Sequence, residues 1–389
     1  MSVTAAAGFS AAGVVCGLKS TGKKDFAMVR NLGPLKSVAA VFTSNRCKAN
    51  PILWSQQVMA DAQVEAIVLN SGGANCYTGA RGFQTTHATA EAVAERLEVS
   101  AGDVLVCSTG LIGEQLDLDK LKTGVWDSGL EVLSEAGTSE QAGIDAAHAI
   151  MTTDSVPKMS VSTGAGYTIG GMAKGAGMLA PGLATMLVVI TTDAVLSSEQ
   201  LDTALRASTR VTFDRLDSDG CMSTNDQVTL MASGASGVEP ELSEFTARLT
   251  QLCRDLAIQL QKDAEGASHN IHITVSGAAS EQDAVDVARA VSRSNLFKAA
   301  IFGNDPNWGR VLAAVGTTFA EFDPYNIDVS FNGVAVCTAG EPDQSRDLVD
   351  LTPREVDIRI ELHSGNETAT IWTNDLTHDY VHENSAYAS

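Results

Sequence analysis

Residues 174–194 read KGAGMLAPGLATMLVVITTDA, and this stretch organises the rest of the chain. A loop rich in glycine and broken by proline (Gly175, Gly177, Pro181, Gly182) runs into the continuous apolar run 186–190, with Thr185 at the junction. Glycine and proline punctuate structure, and a short apolar run bounded by such signals reads as a buried strand. A strand apolar on both faces belongs inside layered sheets, so the stretch predicts an α/β protein of mixed sheets covered by helices.

The flanking sequence supports that class. Residues 64–69 form an apolar run that ends in Asn70-Ser71-Gly72-Gly73, a strand delivering a glycine-bearing loop. Ala90, Val93, Ala94 and Leu97 share one face of a helix expected over 87–98. Residues 104–107 predict a second buried strand, ending at Ser108-Thr109-Gly110, where α/β proteins often carry functional groups. The acidic, alanine-rich segment 128–150 reads as helical, and the polar segment 213–226 as a surface loop or a site wall. Leu242, Phe245, Leu249, Leu252, Leu256 and Leu260 recur at helical spacing, giving one long helix that Pro240 would start. Ile271, Ile273 and Val275 alternate as a strand, Ser280 and Asp283 suggest a capping box, and Asn332-Gly333 marks a hairpin. Val356, Ile358, Ile360 and Leu362 form another strand, which Ser364-Gly365-Asn366 turns into 368–372. No composition shift marks a domain boundary.

Composition excludes more than it selects. A net charge of -21 argues against nucleic acid and against an anionic membrane surface, both of which call for clustered Lys and Arg. No stretch has the length of a transmembrane helix, and the expectation is a cytoplasmic protein. The seven cysteines (Cys16, Cys47, Cys76, Cys107, Cys221, Cys253, Cys337) are odd in number and contain no C-x-x-C pair, as in a reduced cytosolic chain. His269 and His272 come closest to metal spacing, yet they flank a strand-like alternation, so no metal is expected. Gly170-Gly171-Met172-Ala173-Lys174-Gly175 lacks the spacing of a P-loop and of a dinucleotide fingerprint, and no G-x-S-x-G elbow occurs. On pattern alone Thr185 is an ordinary strand residue.

A resemblance changes that reading. Lys174-Gly175-Ala176-Gly177-Met178, with Pro181 and Ala184-Thr185-Met186-Leu187, resembles the cleavage and nucleophile motif of the ornithine acetyltransferase (glutamate N-acetyltransferase, ArgJ) family. Asn70-Ser71-Gly72-Gly73-Ala74-Asn75, Ser108-Thr109-Gly110, Met151-Thr152-Thr153-Asp154, Ser223-Thr224-Asn225-Asp226, Asp305-Pro306-Asn307-Trp308-Gly309-Arg310 and Glu383-Asn384-Ser385-Ala386-Tyr387 are similar to family segments in the same order. They span nearly the whole chain.

The resemblance implies a DmpA/ArgJ-like fold of the self-processing, N-terminal-nucleophile type. It implies cleavage between Ala184 and Thr185, giving an α fragment, 1–184, and a β fragment, 185–389, that associate as a heterotetramer of two α and two β chains. Thr185 would be the nucleophile. The Thr109 side chain and the Gly110 N–H would bind the oxyanion, and Thr152, Lys174, Thr185, Glu265, Asn384 and Ser389 would contact substrate. The implied reaction moves acetyl from N2-acetyl-L-ornithine to L-glutamate without a metal or prosthetic group. Two alternatives stay open: a bifunctional form that also takes acetyl-CoA, and a related self-processing amidase or aminopeptidase.

Overall fold

The computed structural model describes residues 2–180 and 186–386. Ala184, Thr185 and Ser389, three of the expected site residues, lie outside the described residues. Its contacts divide the chain into two units.

The first unit takes Met1–Ala176, Gly182–Asp214 and Met222–Leu260. In chain order it carries β1 (Phe9–Val14), β2 (Phe26–Asn31), β3 (Val38–Phe42), α1 (Asn50–Val58), β4 (Ala66–Asn70), α2 (Gly79–Leu97), β5 (Val104–Ser108), α3 (Leu118–Val132) and α4 (Glu140–Ala149). There follow β6 (Lys158–Thr163), β7 (Thr168–Lys174), β8 (Leu187–Thr192), α5 (Ser198–Arg210), β9 (Gln227–Ala232) and most of α6 (Leu242–Lys262). Two sheets result, ordered β1-β2-β4-β5 and β3-β9-β8-β7-β6. Each contains one parallel pair, β4/β5 and β8/β9, and a helix-bearing crossover joins the strands of each.

The apolar run of the opening stretch is β8, buried at every position. Its neighbour β7 shows why. Met172 of β7 and Val189 of β8 enter a core shared with Phe26, Leu69 and Val106 of the other sheet. On the opposite face, a Cβ at Gly171 would stand only 3.1 Å from Leu252 and 3.2 Å from Leu256 of α6. Core on one side and a long helix on the other leave no polar face for alternation to record.

Two helix expectations change. The helix expected over 87–98 begins earlier, at Gly79. Segment 128–150 is not one helix: α3 ends at Val132, a single 3-10 turn covers Glu135–Thr138, and α4 starts afresh behind Ser139, whose side chain accepts from Ala142 N–H at 3.2 Å. Gly137 packs against the end of α3 so closely that a Cβ would sit 2.6 Å from Glu131 O, and Ser139 is a strong N-cap.

The second unit takes Gly177–Pro181, Arg215–Cys221 and Gln261–Ser389. It carries β10 (Asn270–Ala278), α7 (Glu281–Ser292), α8 (Asn295–Phe302), α9 (Trp308–Val315), β11 (Asp328–Phe331), β12 (Val334–Thr338), β13 (Glu341–Pro342), β14 (Glu355–Glu361), β15 (Glu367–Asn374) and α10 (His378–Ala386). The sheet order is β13-β12-β11-β14-β10-β15. Ile271, Ile273 and Val275 pack with Val356, Ile358, Ile360 and Ile371, and α7 adds Ala284, Val287, Ala288 and Val291.

The hairpin signal holds in this unit, and of the expected capping box the N-cap half forms, while the Asp283 carboxylate accepts from Ser280 Oγ at 2.9 Å. Ser280 Oγ accepts from Asp283 N–H at 3.1 Å, and Asn332 and Gly333 take φ of 47° and 85°, the left-handed pair that closes a two-residue hairpin. Strands β14 and β15 are not hairpin partners, however, because β10 lies between them, parallel to β14 and antiparallel to β15. His269 is a buried structural residue, with Nδ1 2.7 Å from Asp375 Oδ2 and Nε2 2.9 Å from Leu351 O.

Candidate active site

In the first unit, the parallel pairing of β4 and β5 sets two polar loops side by side at the strand ends. Thr109 N–H donates to Asn70 O at 3.0 Å, Gly73 N–H to Thr109 O at 3.0 Å, and Ser108 Oγ to Asn70 Oδ1 at 2.6 Å. The approach demands glycine at 110: its φ is +133°, and a Cβ there would sit 2.7 Å from Gly73 N. Lys174 closes β7, and its Nζ donates to Thr109 Oγ1 at 3.3 Å, both side chains being buried. A hydroxyl that accepts from an ammonium keeps its own proton, so the Thr109 hydroxyl can still donate a hydrogen bond.

Beneath this pair lies a buried carboxylate that sequence reasoning did not single out. Asp154 Oδ1 accepts from Lys158 Nζ at 2.6 Å and from Gly175 N–H at 2.7 Å, while Oδ2 accepts from Thr152 N–H at 2.9 Å. Asp154 thus ties Thr152 to the residue following Lys174. Burial works to raise its carboxyl, but the charges of Lys174 and Lys158 and the Gly175 N–H outweigh it and hold the carboxyl at about 2. Lys19 adds a further cation. Its Nζ donates to Met151 O at 2.7 Å and Lys24 O at 2.9 Å, next to Thr152. Burial lowers it to about 8, with Lys174 adding to the effect and Asp25 and Asp154 opposing it.

Of the segment 213–226, read as surface loop or site wall, residues 223–226 are buried and form a wall, while 219–222 are at least partly exposed. Asn225 Nδ2 donates to Ser108 O at 2.8 Å and to Ala74 O at 2.7 Å, bracing both loops of the Thr109 site. Asp226 Oδ1 accepts from Met186 N–H at 3.1 Å, fixing the residue that follows Thr185. Burial pushes the Asp226 carboxyl well above the usual carboxylate range, and the Met186 N–H, the Ser223 hydroxyl and the Lys174 charge bring it back only in part.

Within the second unit, Asn384 Nδ2 donates to Glu265 Oε2 at 2.9 Å, so these two expected residues come together. A Cβ on Gly177 would stand 2.5 Å from that same Oε2, so the Glu265 carboxylate lies against the Gly177 backbone. The segment leading toward the expected cut is held by Asp219, whose Oδ2 accepts from Met178 N–H at 2.7 Å, and by Ser218 N–H, which donates to Leu179 O at 2.6 Å. Of the expected residues, Thr109, Gly110, Thr152 and Lys174 therefore form one network in the first unit, and Glu265 and Asn384 a pair in the second. Asp154, Lys158, Asn225 and Asp226 are additions. The spacing Asp154-x-x-x-Lys158 was the one available sign of the first two, and an acid and a base four apart ordinarily read as a solvated pair.

A buried lysine behind a hydroxyl and a tight glycine, on the strand ends of an α/β fold, suits chemistry that passes through an oxyanion, and the protein is an acyltransferase. The chain belongs to the ArgJ family, whose model matches residues 10–389. It is 60% identical over 389 residues to the arginine biosynthesis bifunctional protein ArgJ of Streptomyces avermitilis, and equally to that of Streptomyces coelicolor, each match covering 100% of both chains. Among solved structures it is similar to the ornithine acetyltransferase from Mycobacterium tuberculosis complexed with ornithine, at 50% identity and a TM-score of 0.45, covering 48% of this chain and 96% of that one.

Proposed function

We propose that this acyltransferase acts in arginine biosynthesis, cuts itself between Ala184 and Thr185, and uses the freed Thr185 to carry an acetyl group from N2-acetyl-L-ornithine to L-glutamate. The observation that carries the reading is the buried contact of Lys174 Nζ with Thr109 Oγ1, at the end of the strand that leads into the cleavage motif.

For the cut, the Thr185 hydroxyl adds to the Ala184 carbonyl carbon, the C–N bond breaks as the acyl group passes to oxygen, and water hydrolyses the ester. The freed α-amine, ordinarily near 7.7–8.0, is matched to neutral pH as a base for its own hydroxyl. In the first half-reaction, Thr185 Oγ adds to the acetyl carbon and its proton passes to the α-amine. The tetrahedral oxyanion takes hydrogen bonds from Thr109 Oγ1 and the Gly110 N–H. Collapse breaks the amide C–N bond, and the ammonium returns the proton to the departing ornithine nitrogen. Glutamate's amine then attacks the acetyl ester, and the same steps run in reverse order. The scheme needs no metal or prosthetic group.

The Lys174 ammonium has three protons, so a bond to Thr109 is compatible with a second to a substrate α-carboxylate. Glu265, with Asn384 on its carboxylate, suits a substrate ammonium. We assign the cut chain to a cytoplasmic α2β2 assembly of 1–184 and 185–389. The bifunctional designation of the 60%-identical relatives favours a second activity, with acetyl-CoA as the donor.

The test is ornithine release from N-acetylornithine with and without glutamate, followed by acetyl-CoA plus glutamate. Glutamate-dependent release is expected. Release independent of glutamate would make the protein an amidase instead.

A further inference from the structure

Lys19 has no part in that scheme, although the fold holds it at the first unit's network. The buried carboxylate of Asp25 sets its segment: Oδ1 accepts from Cys16 N–H at 2.6 Å and Oδ2 from Lys19 N–H at 2.9 Å. Ser71 N–H donates to Asp25 O at 3.0 Å, and a Cβ on Gly72 would stand 2.3 Å from Leu18 Cβ. The segment thus docks on the loop whose Gly73 N–H donates to Thr109 O. From there the half-buried side chain reaches the neighbouring loop, with Nζ donating to Met151 O, one residue before Thr152.

The charges at this point are unbalanced. Both contacts of Lys19 Nζ among the described residues are neutral carbonyls, Met151 O and Lys24 O, and no carboxylate pairs with it directly. Asp25 is turned to backbone N–H groups, and the Asp154 oxygens are taken by Lys158, Gly175 and Thr152. Burial lowers the proton affinity of Lys19, the Asp25 and Asp154 charges raise it, and the Lys174 charge lowers it again, so the two ammonium groups act on each other. Two cations drawn out of water side by side, with the local carboxylates committed elsewhere, make a place for an anion. An ammonium has three protons, and two of those on Lys19 are placed.

We propose that Lys19 is a second cation for the substrate α-carboxylate, its third N–H donating to that group beside Lys174 and Thr152. The inference rests on the reading of Lys174 as the α-carboxylate contact. N2-acetyl-L-ornithine and L-glutamate share that carboxylate, so one pair of cations serves both half-reactions. The carboxylate keeps its charge throughout the reaction, and the contact therefore acts on binding, in ground and transition state alike.

The experiment compares wild type with K19M, measuring kcat and KM for N2-acetyl-L-ornithine and for its α-carboxamide, with glutamate as acceptor. The readout is the preference for acid over amide in kcat/KM, from which a general loss of active protein cancels. The expectation is a preference ~10- to 150-fold smaller in K19M, the worth of a hydrogen bond to a charged group, with the loss carried by KM for the acid. A preference within about threefold of wild type's, or a loss carried by kcat alone, overturns the proposal and leaves acetyl transfer standing. Wild-type protein with no preference for the acid overturns the reading of Lys174 itself. Should K19M fail to fold, or the amide turn over too slowly to measure, a crystal structure of the wild-type enzyme with L-ornithine bound decides. Lys19 Nζ within about 4 Å of an α-carboxylate oxygen supports the proposal, and a longer separation refutes it.

Discussion

Replacing Asp154 by Asn removes the carboxylate on which the first unit's site is built, while keeping its volume. Two lysines lose their shared counter-charge, and the oxygen that accepts from Thr152 N–H is exchanged for an amide at one of the two positions. The carboxyl is held at about 2 against an ordinary 3.8. At about 1.36 kcal/mol per pH unit, that difference is worth about 2 kcal/mol of folding stability. Breaking a buried pair from one side costs ~3–5 kcal/mol in other proteins, so a loss of about 3 kcal/mol at pH 7 is the expectation.

The pH dependence has a definite sign. A depressed folded pKa stabilises above the unfolded value and is lost as pH falls through the folded one. The wild-type advantage should therefore be complete above pH ~4 and shrink by about 2 kcal/mol on going down to pH ~2. Because the chain has two units, the assay is urea denaturation read by hydrogen exchange in β5, β7 and β8, which keeps the first unit's transition separate. D154N within about 0.5 kcal/mol of wild type at pH 7 would refute the reasoning, as would a gap of the same size at both ends of the pH range.

Two further outcomes follow from the same network. Gly110→Ala forces a Cβ into the 2.7 Å gap to Gly73 N at a φ of +133°, and should destabilise the first unit by at least about 2 kcal/mol in the same assay. Lys174→Met keeps the length of the side chain without its charge, and should lower kcat/KM for acetyl transfer by ~100-fold, read from initial rates of ornithine release.

Much of this was legible in the sequence because local physics governs it. The strand run after Thr185, the leucine face of α6, the Ser280 cap and the Asn332-Gly333 hairpin all appear as read. What was not legible depends on chain segments distant in sequence. Lys158 and Asp154 look like a solvated pair until packing buries both side chains. Asn225 and Asp226 sit in a polar segment that becomes a wall only because β9 lies beside β8 and delivers them against Ser108, Ala74 and Met186. The two units left no trace in composition, since the chain passes from one to the other more than once, through the short pieces Gly177–Pro181 and Arg215–Cys221. The swap in β14-β10-β15 order escaped for a related reason: a turn signal reports that the chain reverses, not which strand it reverses beside.

The most direct test of the central claim is N-terminal sequencing and intact mass of the purified wild-type chain and its Thr185→Ala variant, with glutamate-dependent ornithine release measured on both. The wild type should show a second N-terminus at Thr185-Met186-Leu187 and release ornithine when glutamate is present. The variant should run as one full-length chain and release none. A Thr185→Ala protein that still appears as two fragments and still transfers acetyl would contradict the account.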